Sequence, residues 1–307
     1  MADILDGKIV RDAILASLKP RIAALEELQR PPGLAVVLVG ENPASEIYVR
    51  SKVKACEDLG IFSEKHIPTA DVSTEELLFL VRSLNERPDI DGILVQLPLP
   101  AQIDEQQVLM AIDPMKDVDG FHPVSAGHLM AGRPWFRPCT PSGIMKMLAH
   151  FQIPIAGKRA VVVGRSDIVG KPMAMLLLHE NATVTICHSK TRDLAEECRR
   201  ADIVVAAIGR PAFLTADFVS PHAVVIDVGI NRLKDRASVA RIFAGDAARM
   251  AAFEKTGSVV VGDVHPEVFH NCSAYTPVPG GVGPLTIAML MSNTVLSAEL
   301  RFGTPQL

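Results

Sequence analysis

Short β-rich runs alternate with helical stretches through most of the chain, and this alternation is what most restricts its fold. Strand patterns cover residues 34–40, 64–68, 92–97, 159–163, 183–187, 203–208 and 224–228. Helical patterns cover residues 43–59, 74–85, 142–151, 169–179, 192–200 and 284–300. Strands that alternate with helices are typical of a parallel sheet covered on both faces. The sequence therefore predicts the α/β class.

The length of the chain, 307 residues, exceeds what one hydrophobic core usually spans, so we expect two domains. Residues 113–141 interrupt the alternation with several prolines and glycines, as a domain connection or a loop lining a cleft does. We place a three-layer α/β catalytic domain at 1–140 and a Rossmann-like, doubly wound domain at 141–283, with a cleft between them. An apolar C-terminal helix, 284–307, is expected to complete the first domain.

Charge and hydrophobicity exclude two classes of partner. The net charge of −4 and the pI near 6.1 give no basic field of the kind that attracts nucleic acid. The longest apolar runs, such as 35–39 and 203–208, fall far short of the roughly 20 residues that cross a bilayer. We therefore expect neither nucleic acid nor a membrane as a partner.

The N-terminus and the cysteines indicate where the protein works. The first eight residues have neither a basic start before an apolar run nor an amphipathic Arg/Ser-rich stretch, so we expect no targeting peptide. The five cysteines are odd in number and scattered, without a C-x-x-C pair. This argues against a disulfide framework or a cysteine zinc site. We expect a cytoplasmic protein.

A glycine turn follows the strand at 159–163. Gly164 ends a Val-Val-Val run and Gly170 opens the next helix, so backbone N–H groups and the helix dipole can face a phosphate there. The spacing is not G-x-G-x-x-G, and an ordinary strand-to-helix turn is the alternative.

The end of the next strand bears on which dinucleotide would bind. An NAD site usually places an acid there for the ribose hydroxyl, whereas residues 187–192 read Cys-His-Ser-Lys-Thr-Arg. With Arg165 on the adjoining turn, these hydroxyls and cations favour the 2′-phosphate of NADP. The alternative is that Lys190 and Arg192 are solvated surface charges.

The helix at 43–59 offers a candidate proton-handling residue. Ser45, Tyr48 and Lys52 share one face at i, i+3 and i+7, beside an apolar face formed by Val49 and Val53. Burial at that boundary would favour the neutral amine. A surface lysine beside a partly buried tyrosine is the commoner outcome of such spacing.

Two further polar positions stand out. Gln96 interrupts a strand at its carboxyl end, where open α/β sheets place their ligands, and a buried glutamine needs partners such as Lys52 or a substrate. Asp117 and Asp119 precede a glycine, and turn formation is the commonest use of an aspartate there.

These segments together resemble the bifunctional methylenetetrahydrofolate dehydrogenase/methenyltetrahydrofolate cyclohydrolase family. The matching segments, in the expected order along nearly the whole chain, are 45–52, 92–100, 116–121, 138–141, 164–166 with 169–170, and 276–284. Six matches in order are hard to obtain by chance.

The resemblance implies a role for each matching residue. Lys52 would handle the proton, Gln96 would position it, Tyr48 would pack against the folate and Asp119 would accept hydrogen bonds from the pterin. The implied substrate-binding residues are Ser45, Tyr48, Asp119, Pro279 and Gly280. The implied NADP-binding residues are Gly164, Arg165, Ser166, Ser189 and Ile230. No metal is expected, and a homodimer built through the dinucleotide-binding domain is implied.

The implied function is NADP-dependent oxidation of 5,10-methylenetetrahydrofolate to the 5,10-methenyl form, followed by hydrolysis to 10-formyltetrahydrofolate. One alternative is a monofunctional NADP-dependent dehydrogenase of a small cyclic substrate, either one that has lost cyclohydrolase activity or one of the shikimate type. A dehydrogenase without cyclohydrolase activity should differ at its lysine site, yet Tyr48, Gln96 and Lys52 are all present. Another alternative is a nucleotide-sensing module without turnover. A shikimate-type enzyme should carry a different Lys/Asp pair, which the sequence lacks.

The chain departs from the family pattern at two places. Relatives usually read Gly-Asp-Val-Asp-Phe where this chain has His265 and Pro266 after Gly262-Asp263-Val264, and residues 233–258 look longer than usual. We interpret His265 and His270 as loop histidines rather than metal ligands, since no third ligand is evident.

Overall fold

The structure, a computed structural model, describes residues 2–302, without the side chains of Pro43 and Ala44. The chain divides into two compact units. One, the three-stranded unit, comprises Arg11–Cys139 and the residues from Thr286 onward. The other, the six-stranded unit, comprises the residues up to Val10 and Thr140–Leu285.

The three-stranded unit contains a parallel sheet in the order β3-β2-β4. Its strands are β2 (Gly33–Val37), β3 (Phe62–His66) and β4 (Gly92–Val95). Its helices are most of α1 (Gly7–Glu27), α2 (Pro43–Leu59), α3 (Thr74–Glu86), α4 (Glu105–Ala111), α5 (Pro123–Met130) and most of α11 (Gly283–Phe302). β2 is buried along its whole length because it lies between the other two strands.

Two hydrophobic cores form the layers of this unit. Leu34 and Val36 of β2 pack into one cluster with residues of α1, α2 and α11, whereas Ala35 and Val37 pack into another with residues of α3 and α4. Successive side chains of a strand point to opposite faces, so the two clusters lie on opposite sides of the sheet. The predicted three-layer arrangement is confirmed.

The six-stranded unit contains a parallel sheet in the order β1-β11-β8-β7-β5-β6. Its strands are β1 (Asp3–Ile4), β5 (Arg159–Val163), β6 (Thr183–Cys187), β7 (Ile203–Ala206), β8 (Val224–Asp227) and β11 (Ala274–Tyr275). An antiparallel hairpin is formed by β9 (Asn231–Leu233) and β10 (Val259–Val261). The helices are α6 (Cys139–His150), α7 (Gly170–His179), α8 (Leu194–Arg199), α9 (Arg236–Ile242) and α10 (Ala247–Thr256), with 3₁₀ turns at Ala216–Phe218 and Pro266–His270.

The strand order of this sheet reverses beside β5. The chain runs from β5 outward to β6, then returns past β5 to β7 and β8. Doubly wound sheets bind ligands at the carboxyl ends of the strands where the order reverses. The predicted Rossmann-like topology is confirmed, and Gly164 directly follows β5, at that reversal.

Most predicted elements are found within a few residues of their expected bounds, but several elements were not anticipated. The first ten residues, placed by sequence with the first domain, contribute β1 to the six-stranded sheet. α1 was not predicted, and it contains Pro20, a residue that usually argues against a helix when it lies in the interior. Its Leu18 and Ile22 are buried, so tertiary packing stabilises it.

The segment 113–141, expected as an irregular connection, contains α5. Pro123 occupies the first turn of this helix, where a missing N–H costs little, and His122 caps it because its Nδ1 accepts the Val124 N–H at 3.0 Å. Residues 233–258, for which no elements were predicted, contain α9 and α10. The C-terminal helix is observed to Phe302, and its predicted extension to residue 307 lies outside the described residues.

No helix among residues 2–302 is both long and apolar enough to span a bilayer.

Candidate active site

Lys52 lies on α2 in the three-stranded unit, and its side chain is buried. Only 7% of the residue is exposed, and its Nζ donates a hydrogen bond of 3.0 Å to Oε1 of Gln96. Gln96 follows β4 directly: its backbone N–H donates to the Val37 carbonyl, and its Nε2 donates to the Leu97 carbonyl at 2.8 Å. The structure therefore brings the two residues together, and a solvated surface lysine is ruled out.

Ser45 and Tyr48 lie on the same helix as Lys52. Ser45 is buried in the first turn, whereas Tyr48 keeps 39% of its surface exposed. An aromatic ring that stays partly exposed next to a buried lysine offers a flat apolar surface beside a hydrogen-bonding group.

Asp117 and Asp119 occupy different environments although they are two residues apart. The Asp117 carboxylate accepts hydrogen bonds from the backbone N–H groups of Phe121 (3.1 Å) and His122 (2.9 Å), and from Oγ of Ser125 (2.7 Å). Burial nevertheless raises the pKa of Asp117 to about 6. Asp117 is therefore the acid that shapes the turn leading into α5.

The Asp119 carboxyl interacts instead with Lys52 and Cys139. Burial raises the pKa of Asp119, while the positive charge of Lys52 and a hydrogen bond from the Cys139 thiol act in the opposite direction. An amine, an amide and a carboxyl group thus converge in this unit, from α2, from the end of β4 and from the loop before α5.

Asn293 fixes the loop that carries Asp119, and sequence reasoning missed it. From α11, its Nδ2 donates to the carbonyl oxygens of Val118 (2.8 Å) and Arg137 (3.0 Å). Buried amides need partners, so an asparagine in the middle of an apolar helix was the available signal.

The glycine turn after β5 depends on close backbone approach. Gly164 has φ +135°, and a Cβ there would lie 2.1 Å from the Ala207 carbonyl oxygen. A Cβ on Gly170 would lie 2.4 Å from the Gly164 carbonyl oxygen. Glycines in a dinucleotide-binding turn serve such approaches. The N–H of Gly170 donates to Oγ of Ser166 at 3.2 Å, so in this structure Ser166 takes the amide that we expected to face a phosphate.

Arg165 and Ser189 belong to the same edge of the six-stranded sheet. Val163 of β5 pairs with Cys187 of β6, and each of the two residues follows two positions later. Both are exposed, as are Lys190 and Arg192. Over residues 2–302, Arg165 forms no ion pair with a carboxylate. Its guanidinium is thus available for an anion, while the solvated alternative stays open for Lys190 and Arg192.

Two buried acids hold the loops that follow β7 and β8, and sequence reasoning assigned them no role. Asp227 accepts hydrogen bonds from the N–H groups of Gly229, Asp263 and Val264. Asp263 accepts from the N–H groups of residues 208, 209 and 210 and from Nδ2 of Asn231. Burial, with the Asp263 charge adding to it, raises the pKa of Asp227 to about 7.

Each of these acids lies against a glycine far from it in the chain, a contact that only the structure shows. A Cβ on Gly262 would lie 1.7 Å from Oδ2 of Asp227, and one on Gly229 would lie 2.4 Å from Oδ1 of Asp263. Ile230, predicted to contact NADP, lies on the loop that they fix and is 50% exposed.

The turn at residues 277–281 is held by backbone hydrogen bonds within the six-stranded unit. The Gly281 N–H donates to the Pro277 carbonyl at 2.7 Å, and the Gly7 N–H donates to the Gly280 carbonyl at 2.9 Å. Gly280 has φ +107°, a conformation that favours glycine. Pro279 follows a cis peptide bond in this turn.

The departure at His265 has a local explanation. His265 precedes the 3₁₀ turn Pro266–His270, and its Nδ1 accepts the Glu267 N–H at 3.3 Å. A histidine thus fills the capping position that an aspartate side chain often fills. In the part of the chain that the structure describes, no three His, Cys, Asp or Glu side chains are grouped so as to hold a metal ion.

Comparison with known proteins gives the same family over both halves of the chain. The model of the tetrahydrofolate dehydrogenase/cyclohydrolase catalytic domain matches residues 5–119, and that of the NAD(P)-binding domain of the same family matches residues 138–302. The bifunctional protein FolD of Solibacter usitatus is 64% identical over 304 residues, and that of Koribacter versatilis is 62% identical over 303 residues. Each alignment covers 99% of both chains.

Solved structures agree with these matches. The bifunctional FolD methylenetetrahydrofolate dehydrogenase/cyclohydrolase of Campylobacter jejuni has a TM-score of 0.89 and 44% identity, covering 98% of this chain and 100% of that one. The Trypanosoma brucei FolD, complexed with NADP cofactor and an inhibitor, has a TM-score of 0.88 and 38% identity, covering 98% of both chains.

Proposed function

Because the chain belongs to the tetrahydrofolate dehydrogenase/cyclohydrolase family, we propose that the residues described above perform the two reactions of that family. The protein is an NADP-dependent methylenetetrahydrofolate dehydrogenase and methenyltetrahydrofolate cyclohydrolase. It oxidises 5,10-methylenetetrahydrofolate and hydrolyses the resulting methenyl form to 10-formyltetrahydrofolate. The observation that carries the residue assignment is the buried Lys52–Gln96 hydrogen bond beside Asp119.

The six-stranded unit fits NADP. The backbone at Gly164 leaves no room for a Cβ because it passes against the Ala207 carbonyl, as the tight first turn of a dinucleotide-binding unit requires. Arg165 and Ser189 extend the same sheet edge with a cation and a hydroxyl. When bound, NADP⁺ supplies the nicotinamide that accepts the hydride. We assign its binding to Gly164, Arg165, Ser166, Ser189 and Ile230.

Three side chains of the three-stranded unit are proposed to hold the folate. The partly exposed Tyr48 ring stacks on the flat substrate, and the Asp119 carboxylate accepts hydrogen bonds from pterin N–H groups. Ser45 adds a hydroxyl on the same helix face. Pro279 and Gly280 are proposed as further substrate-binding residues.

Lys52 handles the proton of the hydrolytic step. The methenyl intermediate is a cation, and the water that adds to it must give a proton to a base, which we propose is the amine of Lys52. Gln96 positions it, since the 3.0 Å hydrogen bond restrains a long, flexible side chain.

The domain roles follow the same assignment. We propose that the three-stranded unit forms the folate-binding catalytic domain and that the six-stranded unit forms the NADP-binding domain. The separate family matches to residues 5–119 and 138–302 support this division. We also propose that the protein is cytoplasmic and forms a homodimer built through the NADP-binding domain. The mass of the protein in solution tests whether it is a dimer.

Replacing Lys52 separates the two reactions. Lys52→Met keeps much of the packing of the stem but removes the amine, so cyclohydrolase activity should fall by about 10²-fold or more. Dehydrogenase activity should persist in part, because hydride transfer depends mainly on positioning. Methenyl consumption and NADPH formation are measured separately on the purified variant.

Lys54 provides the matched control. It lies on the same helix but is exposed and pairs with Asp58 at 3.0 Å. Lys54→Met should leave both activities near wild type. Full retention of cyclohydrolase activity in Lys52→Met would remove Lys52 from the mechanism.

A further inference from the structure

Residues 231–261 form a small structure of their own within the six-stranded unit. The β9–β10 hairpin encloses α9 and α10. Apolar side chains from all four elements pack together; the buried ones are Val239, Ile242, Phe243, Phe253, Val259 and Val261. We call residues 231–261 the α9–α10 segment. Neither the glycine turn nor the folate-binding residues lie on it, so the proposed function leaves it without a role.

An arginine side chain of this segment reaches the 277–281 turn. Nη2 of Arg249, on α10, donates a hydrogen bond of 2.8 Å to the carbonyl oxygen of Val278. Its Nη1 donates to the Val260 carbonyl at 3.3 Å, and its guanidinium lies 5.1 Å from the centre of the Phe243 ring. Phe243 and the Val260 carbonyl, both in the segment, thus hold the planar guanidinium. Its Nη2 donates to the 277–281 turn.

Arg249 contrasts with Arg236, the first residue of α9. Arg236 on α9 pairs with Glu254 on α10 at 2.8 Å, and both side chains are exposed, so this ion pair only joins the two helices to each other. Within residues 2–302, Arg249 instead bonds carbonyl oxygens and pairs with no carboxylate. Hydrogen bonds from a charged donor are roughly twice as strong as neutral ones.

The turn needs anchors because glycines occupy two of its five positions. Gly280 and Gly281 have the greatest backbone freedom of any residue type. The Gly7 N–H holds the turn at Gly280 on one side, and Arg249 holds it at Val278 on the other. Pro279, a proposed substrate-binding residue, lies between these two anchored carbonyls.

We propose that Arg249 is a positioning residue for the substrate-binding turn, and that the α9–α10 segment holds the Arg249 side chain in place. The proposal rests on the assignment of Pro279 and Gly280 to substrate binding. Without Arg249, the turn samples other conformations and binds the folate less often in the productive one. The loss should appear as a higher KM for the folate in both reactions, with kcat changed less.

Two measurements on Arg249→Met test the proposal. Amide hydrogen exchange of Val278, Gly280 and Gly281, the residues of the turn that carry an N–H, should accelerate in the ligand-free protein. The folate KM should rise about tenfold, the scale expected for one charge-assisted hydrogen bond. The KM for NADP⁺ should change less than twofold. Arg249→Lys, which keeps a donor, should recover part of both effects. Arg236→Met, the matched control, should match wild type in exchange of the turn and in kinetics.

The outcomes separate the proposal from its premise. Exchange at the wild-type rate in Arg249→Met overturns the anchoring role of Arg249. Gly280→Ala strains the turn directly, because of its positive φ, with Arg249 intact. If the folate KM stays unchanged in Gly280→Ala as well as in Arg249→Met while exchange accelerates, the substrate-binding assignment of Pro279 and Gly280 fails. If it rises only in Gly280→Ala, the assignment stands and the role of Arg249 in substrate binding is refuted.

Discussion

The Lys52 site and the Gly164 turn solve different physical problems. The Lys52 site is made of side chains from α2, the end of β4 and the loop before α5, and it exists only because those segments pack together. The Gly164 turn is made of backbone, with exposed side chains at its rim. The Lys52 site is defined by tertiary contacts between polar groups. The Gly164 turn is defined by the absence of side-chain atoms at Gly164 and Gly170. They should therefore respond to different kinds of substitution.

The largest effect should come from adding one carbon atom to the turn. In Gly164→Ala the new Cβ would meet the Ala207 carbonyl oxygen at 2.1 Å, so the turn must shift and NADP⁺ binding should be lost. Dehydrogenase activity should fall by about 10²-fold or more, the scale set by misplaced reactants, while cyclohydrolase activity persists.

Gly157→Ala is the control for this substitution. Gly157 also has positive φ, +73°, but no atom lies within 4 Å of the added carbon. It should leave NADP⁺ binding intact. Equal loss of the two activities in Gly164→Ala would indicate a general folding defect. It would refute the expectation that the two regions respond to different substitutions.

The next effect concerns the rim of the turn. Arg165→Ala should raise the KM for NADP⁺ by about 10- to 100-fold, because a charge-assisted phosphate contact is worth on the order of 1.5–3 kcal/mol. The KM for NAD⁺ should hardly change. Lys190→Ala, assayed in parallel, decides whether that lysine binds phosphate or is only a solvated charge. Equal losses for both cofactors in Arg165→Ala would refute its 2′-phosphate assignment.

The two aspartates of the 117–120 turn test the Lys52 site. Asp119→Asn exchanges an acceptor pair for a mixed donor and acceptor, so the folate KM should rise in both reactions by about tenfold. Asp117→Asn should instead lower the melting temperature, since it disturbs the acceptor of three hydrogen bonds. An unchanged folate KM in a stably folded Asp119→Asn would reduce Asp119 to a turn residue.

The smallest effect is a pH dependence of stability in the six-stranded unit. Asp227 has a folded-state pKa raised from 3.8 to about 7, so the folded protein binds this proton more tightly than the unfolded chain does. Its contribution to stability therefore falls as the pH rises from about 4 to about 7 and is constant above that range.

Asp227→Asn removes this titration. Denaturant unfolding at pH 5 and pH 8 should show that wild type loses about 1–3 kcal/mol more than the variant over this range. Hydrogen bonds lost in the variant at both pH values cancel in this difference. A parallel pH response of the two proteins would show that Asp227 is ionised throughout.

The sequence by itself determined the local elements and the chemistry of single segments. The bounds of β5, β6 and α2 were predicted to the residue, because strand and helix periods are set by neighbouring residues along the chain. The common face of Tyr48 and Lys52 followed from helix geometry, and the glycine turn from its own backbone.

Tertiary structure decided what depends on residues far apart in the chain. It buried Lys52 against Gln96, assigned the turn to Asp117 rather than Asp119, and moved the first strand into the six-stranded sheet. It stabilised α1 in spite of its proline. The positioning contacts of Asn293 and Arg249 end on backbone carbonyl oxygens, and every residue type provides a carbonyl. An asparagine in an apolar helix can therefore signal that a partner exists, but only the folded chain reveals which carbonyl oxygens it binds.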